Sequence, residues 1–100
     1  MSVALISIEL RLPFSHSLKD KRRIIQSIFA KVKKNFNVSI AELDSQDLWQ
    51  KANIEIASVN TSSGELSKTF NHIVDFIYEF HDVEVVDYKI ENLWTEKKIY

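Results

Sequence analysis

The chain has 100 residues, 45% hydrophobic and 27% charged, with one Gly, one Pro and no Cys. That suits a single globular core and excludes collagen, coiled coil and disorder; without Cys, disulfides, thiolate metal sites and thiol nucleophiles are excluded too. The net charge of −1 hides a polarity: Lys19, Lys21, Arg22, Arg23, Lys31, Lys33 and Lys34 are set against only Asp20, so residues 19–34 carry +6 and the remainder −7.

Residues 3–12 alternate Ala4, Ile6, Ile8, Leu10 and Leu12 with a face that ends in Ser7, Glu9 and Arg11. This period of two predicts a half-buried strand, which Pro13 closes because it lacks a donor for the ladder. The N-terminus has no basic n-region and no small-residue cleavage pattern, so it reads as that strand and not as a signal peptide.

The spacing of Leu18, Ile24, Ile25, Ile28, Phe29 and Val32 predicts a helix over 18–35. Ser17 is its N-cap, with Ser15 the alternative, and Asn35 and Asn37 bracket its stop near Phe36. Residues 38–44 and 49–60 alternate as strands around a polar turn at 45–48, close enough for an antiparallel hairpin. Ala52, Ile54 and Ile56 mark the apolar face of the second of these strands. A capping box from Ser62 to Glu65 opens a helix over 63–80, with Leu66, Phe70, Ile73, Ile77 and Phe80 as its stripe. Residues 83–94 form the last strand, Val86, Tyr88 and Ile90 on one face and Asp87, Lys89 and Glu91 on the other.

The order is βαββαβ: an α+β, ferredoxin-like sandwich with a four-stranded antiparallel sheet, first and third strands central, and two helices on one face. It occupies residues 1–94 as one domain, with 95–100 as a tail. No apolar run is long enough to span a bilayer, and a cytoplasmic protein is the simplest expectation.

Four groups of residues bear on chemistry. The start of the first helix sets Ser17, Lys19, Lys21 and Arg22 beside free N–H groups, a seat for a phosphate or carboxylate, and Arg23, Lys31, Lys33 and Lys34 extend it along the helix. A solvated, well-capped helix is the plainer reading of the same residues. Glu42, Asp44 and Asp47 lie close together, but without EF-hand spacing they suit a polar turn better than a cation site. His16, His72 and His81 are scattered, and no nucleophile elbow, Walker loop, dinucleotide fingerprint or His-Glu-x-x-His is present, so catalysis ranks behind binding. The open sheet face carries Ser7, Glu9, Arg11, Asn53, Glu55 and Ala57 on its central strands. None is aromatic, which argues against base stacking there, and one Gly cannot build a Gly-x-x-Gly clamp.

Three blocks carry a resemblance: Ser17-Leu18-Lys19-Asp20-Lys21-Arg22-Arg23, then Phe36-Asn37-Val38-Ser39-Ile40-Ala41-Glu42, then Gln46-Asp47-Leu48-Trp49-Gln50. In this order and spacing, and over about residues 3–94, the chain resembles the YlxP-like family of small bacterial proteins, a domain of unknown function. The resemblance implies a ferredoxin-like fold. Through the placing of the family's genes near that of ribosome-binding factor A, it also implies a ribosome- or RNA-associated role. It offers no catalytic residue to transfer and no cofactor.

The leading expectation is therefore a non-catalytic accessory protein that binds RNA or a ribosomal particle through Lys19, Lys21, Arg22, Arg23, Lys31, Lys33 and Lys34. A second is a protein-interaction or homo-oligomerisation module that uses the strand edges or the open face, where Glu9, Arg11, Glu55, Lys89 and Glu91 would pair across a two-fold axis. A third is an anion-binding enzyme domain with its pocket near His16 and Ser17.

Overall fold

The computed structural model describes residues 1–43 and 48–95. β1 (Ser2–Arg11), α1 (Leu18–Asn35), β2 (Ser39–Leu43), β3 (Lys51–Asn60), α2 (Ser63–Tyr78) and β4 (Glu84–Thr95) follow in βαββαβ order. The strands make one antiparallel sheet, β2-β3-β1-β4, so β1 and β3 are central as the pattern predicts. The turn expected at 45–48 and the tail beyond the domain fall largely on 44–47 and 96–100, outside the described residues.

The alternation of β1 explains its place. Ala4, Ile6, Ile8 and Leu10 are buried, while Val3, Leu5, Ser7 and Glu9 are only partly covered. Ile6 stands between Ile56 of β3 and Ile90 of β4, and Ile8 between Ile54 and Tyr88. Ile24, Ile25, Ile28 and Val32 of α1 close on this face, as do Leu66, Phe70, Ile73, Val74 and Ile77 of α2. Each such side chain contributes about 1.5–3 kcal/mol of burial before entropy is charged against it. Phe36, Phe76 and Phe80 extend the core at its rim in edge-to-face contacts, with centroids 5.7 and 5.8 Å apart.

Both helix starts follow their caps. Ser17 Oγ accepts the Asp20 N–H at 3.0 Å, and Ser62 Oγ accepts the Glu65 N–H at 3.3 Å. The second half of the predicted capping box differs. The Ser62 N–H donates to Asn60 Oδ1 at 3.0 Å, and the Glu65 carboxylate lies 3.6 Å from Lys68 Nζ. Asn60 is nearer in sequence and holds that donor in a short local turn, leaving Glu65 to pair along the helix.

β4 departs most from its pattern. Val86, Tyr88 and Ile90 are 48%, 42% and 41% exposed, although an amphipathic strand predicts that its apolar face is covered. Tyr88 and Ile90 stand on the helix side, opposite Ile8 and Ile6. The reason is position: β4 is an edge strand, and α2 covers it only in part, leaving a groove beside Ile90 and Asn92. Register shifts make Val86 and Leu93 extra residues in the pairing with β1.

Candidate nucleic-acid interface

Along α1, positions 19, 22, 23, 26, 30, 33 and 34 recur at i, i+3, i+4, i+7, i+11, i+14 and i+15, one continuous face. All seven are exposed. Five of them are cations: Lys19, Arg22, Arg23, Lys33 and Lys34. At 1.5 Å per residue they span about 22 Å of helix. Among the described residues, none of the five makes an ion pair. Both α1 termini are capped, and the opposite face is held in the core by Ile24, Ile25, Ile28 and Val32.

Two of the seven predicted cations behave differently. Lys21 is not on this surface. It is 2% exposed, on the face that holds Ile24, Ile25 and Ile28, and its Nζ lies 2.7 Å from Glu42 Oε2. The correction has a physical reason: three and four residues before Ile24 and Ile25, position 21 belongs to the buried stripe by helical phase. Glu42 occupies the matching place on β2, whose helix-facing residues are Ile40 and Glu42, opposite Ile56 and Ile54 of β3. Lys31 is exposed but leans off the stripe, its Nζ 5.0 Å from the centre of the Phe80 ring.

The predicted anion seat at Ser17 is occupied from within. Asp20 Oδ2 accepts the His16 N–H at 3.1 Å while Ser17 Oγ accepts the Asp20 N–H. The carboxylate thus sits at the positive end of the helix, where a bound anion would otherwise be favoured. Ser15 is fully buried, its Oγ donating to Ser17 O, and Gln50 Nε2 donates to Ser15 O at 3.1 Å, tying this loop to the start of β3. We expect Ser17→Ala to lower stability by about 1 kcal/mol, measured by urea unfolding, and to leave any nucleic-acid affinity unchanged.

Elsewhere the chemistry is sparse. His16, His72 and His81 are exposed on three separate segments. Among the described residues no three His, Asp or Glu side chains come together in a metal-holding group. Asp44 and Asp47 of the acidic turn lie outside the described residues, and Glu42 pairs with Lys21. On the open face β1 and β3 present Val3, Leu5, Ser7, Glu9 and Arg11 against Val59, Ala57, Glu55, Asn53 and Lys51, with no aromatic ring on either strand. The two ends of that face differ: Val3 pairs with Trp94 of β4 at the apolar end, and Glu9 with Asp87 at the charged end. No described helix is long and apolar enough to cross a membrane.

Sequence phase reveals the Lys21–Glu42 pair only when helix and strand are read together. A lysine in the apolar phase of the first helix and a glutamate in the apolar phase of the second strand are each unremarkable alone. Together they mark two charges that the fold must either pair or expel.

Residues 3–90 match the family described as "Protein of unknown function (DUF503)". Over 68 residues the chain is 38% identical to the Bacillus subtilis "Uncharacterized protein YlxP", an alignment that covers 68% of this chain and 74% of that protein.

Proposed function

We propose, starting from the fact that the chain belongs to the DUF503 family of proteins of unknown function, that it is a non-catalytic accessory protein which binds structured RNA or a ribosomal particle through the outward face of α1. One observation carries this reading: Lys19, Arg22, Arg23, Lys33 and Lys34 line one exposed helix face that no carboxylate shares. In a protein whose net charge is −1, a stripe of this kind attracts a polyanion locally while the rest of the surface repels it, which orients the approach.

The contacts would go to phosphates. The stripe consists of long cationic side chains on a convex helix, and the sheet offers no stacking platform on β1 and β3. Shape and charge would therefore select the target more than base sequence does. The cationic set is five strong, with Lys31 at its margin and Lys21 excluded.

The test is binding of a fluorescent RNA hairpin and of ribosomal particles by anisotropy and co-sedimentation across salt. If five phosphates are neutralised, the log–log slope is about −3.5 to −4.5, a loss of roughly 100- to 500-fold between about 50 mM and about 200 mM salt. Arg22→Glu/Arg23→Glu should abolish binding while the fold persists. Salt-independent binding, or binding that survives this double variant, refutes the reading and turns attention to a protein partner for the same face.

A further inference from the structure

We propose that β4 is a self-complementary edge through which two copies of this chain pair antiparallel, with Tyr88 on the two-fold axis and one continuous eight-stranded sheet as the product. The proposal starts from a surface the fold leaves unexplained. β4 is the outer strand, and all its residues except Val85 are exposed. Its helix-side residues Tyr88 and Ile90 are only partly covered, and a groove of about 290 Å³ remains between α2 and the strand, lined by Ala4, Leu66, Phe70, Ile90 and Asn92 among others. A long edge with apolar side chains and unpaired backbone groups is a template for another strand.

The sequence of the edge says which strand. Val86-Asp87-Tyr88-Lys89-Ile90 is symmetric in its apolar residues and antisymmetric in its charges about Tyr88. Antiparallel pairing with a second copy, centred on Tyr88, sets Tyr88 against Tyr88 of the partner subunit on the helix side, with Val86, the extra residue of the bulge, level with Ile90 of the partner subunit. On the open side it sets Asp87 against Lys89 of the partner subunit, twice by symmetry. Opposite charges and apolar pairs facing across strands are the stabilising combinations, and an isologous contact demands this self-complementarity.

The backbone phase agrees. The Tyr88 N–H donates to Asp87 Oδ1 at 2.9 Å, so in this chain a carboxylate sits on that donor at the strand's own edge. A central Tyr88 pair needs that donor on the outer edge. On pairing, Asp87 would exchange the N–H of Tyr88 for the ammonium of Lys89 of the partner subunit. In the separate chain the same carboxylate and the extra residue Val86 discourage strands of other sequence, which lack the matching charges. The two-fold axis runs normal to the sheet, so both helix layers, and both cationic faces of α1, end on the same side. This inference does not depend on RNA binding.

Light-scattering mass across concentration, with amide exchange on the wild-type chain, tests it. The expected mass rises from 11.7 kDa towards twice that value as concentration increases. The Tyr88 and Ile90 amides exchange more slowly as it rises, which stacking of two open faces would not produce. Asp87→Lys and Lys89→Asp each raise the dissociation constant roughly 10- to 30-fold by turning attraction into repulsion. The double variant Asp87→Lys/Lys89→Asp restores dimerisation, because the reversed palindrome is again self-complementary. A monomer at every concentration, a dimer indifferent to Lys89→Asp, or a double variant that is not rescued overturns the proposal. Both positions are exposed, and circular dichroism of each variant separates lost pairing from lost folding.

Discussion

Lys21→Ala is expected to destabilise the protein by about 3 kcal/mol, more than any other single charge removal in the described chain. Lys21 is 2% exposed and Glu42 20% exposed, with Nζ and Oε2 2.7 Å apart. Removing the lysine takes away the ammonium closest to the Glu42 carboxylate, in a cleft lined by Leu18, Ile25 and Phe29 as well as by Arg22 and Gln26. A carboxylate that loses its closest cation at a largely buried site is what makes breaking such a pair expensive. The residual access of Glu42 to water holds the value near the lower end of the usual range. For a domain of this size the loss lowers the melting temperature by roughly 15 °C. Lys21→Glu sets two carboxylates together and should prevent folding at ordinary temperature.

The converse experiment separates the pair's contribution to stability from the penalty of breaking it. Lys21→Met/Glu42→Leu replaces both charges by apolar groups of similar volume, and its stability should return to within about 1 kcal/mol of wild type. Calorimetry on the four members of the cycle measures the coupling. A Lys21→Ala variant as stable as wild type would show that Lys21 is free to leave the cleft, and would return it to the cationic surface. Because Lys21 faces the core, Lys21→Met should leave the salt slope of RNA binding untouched.

Helix and strand periods made most of this architecture legible. Ala4, Ile6, Ile8 and Leu10 announced the central strand, and Ile24, Ile25, Ile28 and Val32 the inner face of α1. Ser17 and Ser62 marked their helix starts because a hydroxyl before an apolar run has few other local uses. Period alone misleads where it gives a side chain's direction without saying what lies opposite. Tyr88 and Ile90 point to the helix side as their alternation requires, yet they stay about two-fifths exposed, since how far a helix covers an edge strand depends on strand order and helix length. Lys21 shows the reverse error. Its residue type suggested solvent, its phase placed it inside, and the phase prevailed because Glu42 was there to meet it. Lys19, Arg22, Arg23, Lys33 and Lys34 share the outward face because their helical phase turns them away from the core.

The proposed RNA contact through this face yields a prediction resolved by residue. Neutralising Lys19, Arg22, Arg23, Lys33 or Lys34 singly to Gln should each reduce the magnitude of the salt slope for RNA binding by about 1. The affinity should fall by a similar factor on hairpins of different sequence, because a phosphate contact carries no base information. Lys31→Gln should have a smaller effect, since its ammonium already rests 5.0 Å from the Phe80 ring. Lys68→Gln, on exposed α2 beside Glu65, should have none. Arg22→Glu/Arg23→Glu/Lys33→Glu replaces three attractions by three repulsions on one face and should reduce affinity by more than about 10³-fold, beyond the loss of three contacts alone. The mechanism fails if the slope is insensitive to these five positions, or if Lys68→Gln matters as much as Arg22→Gln. In either case the net field of the protein, and not the helix stripe, would be responsible. A graded series, with the slope falling by one for each cation removed from the outward face and not at all for Lys21→Met, would locate the polyanion on α1 to within a turn of helix.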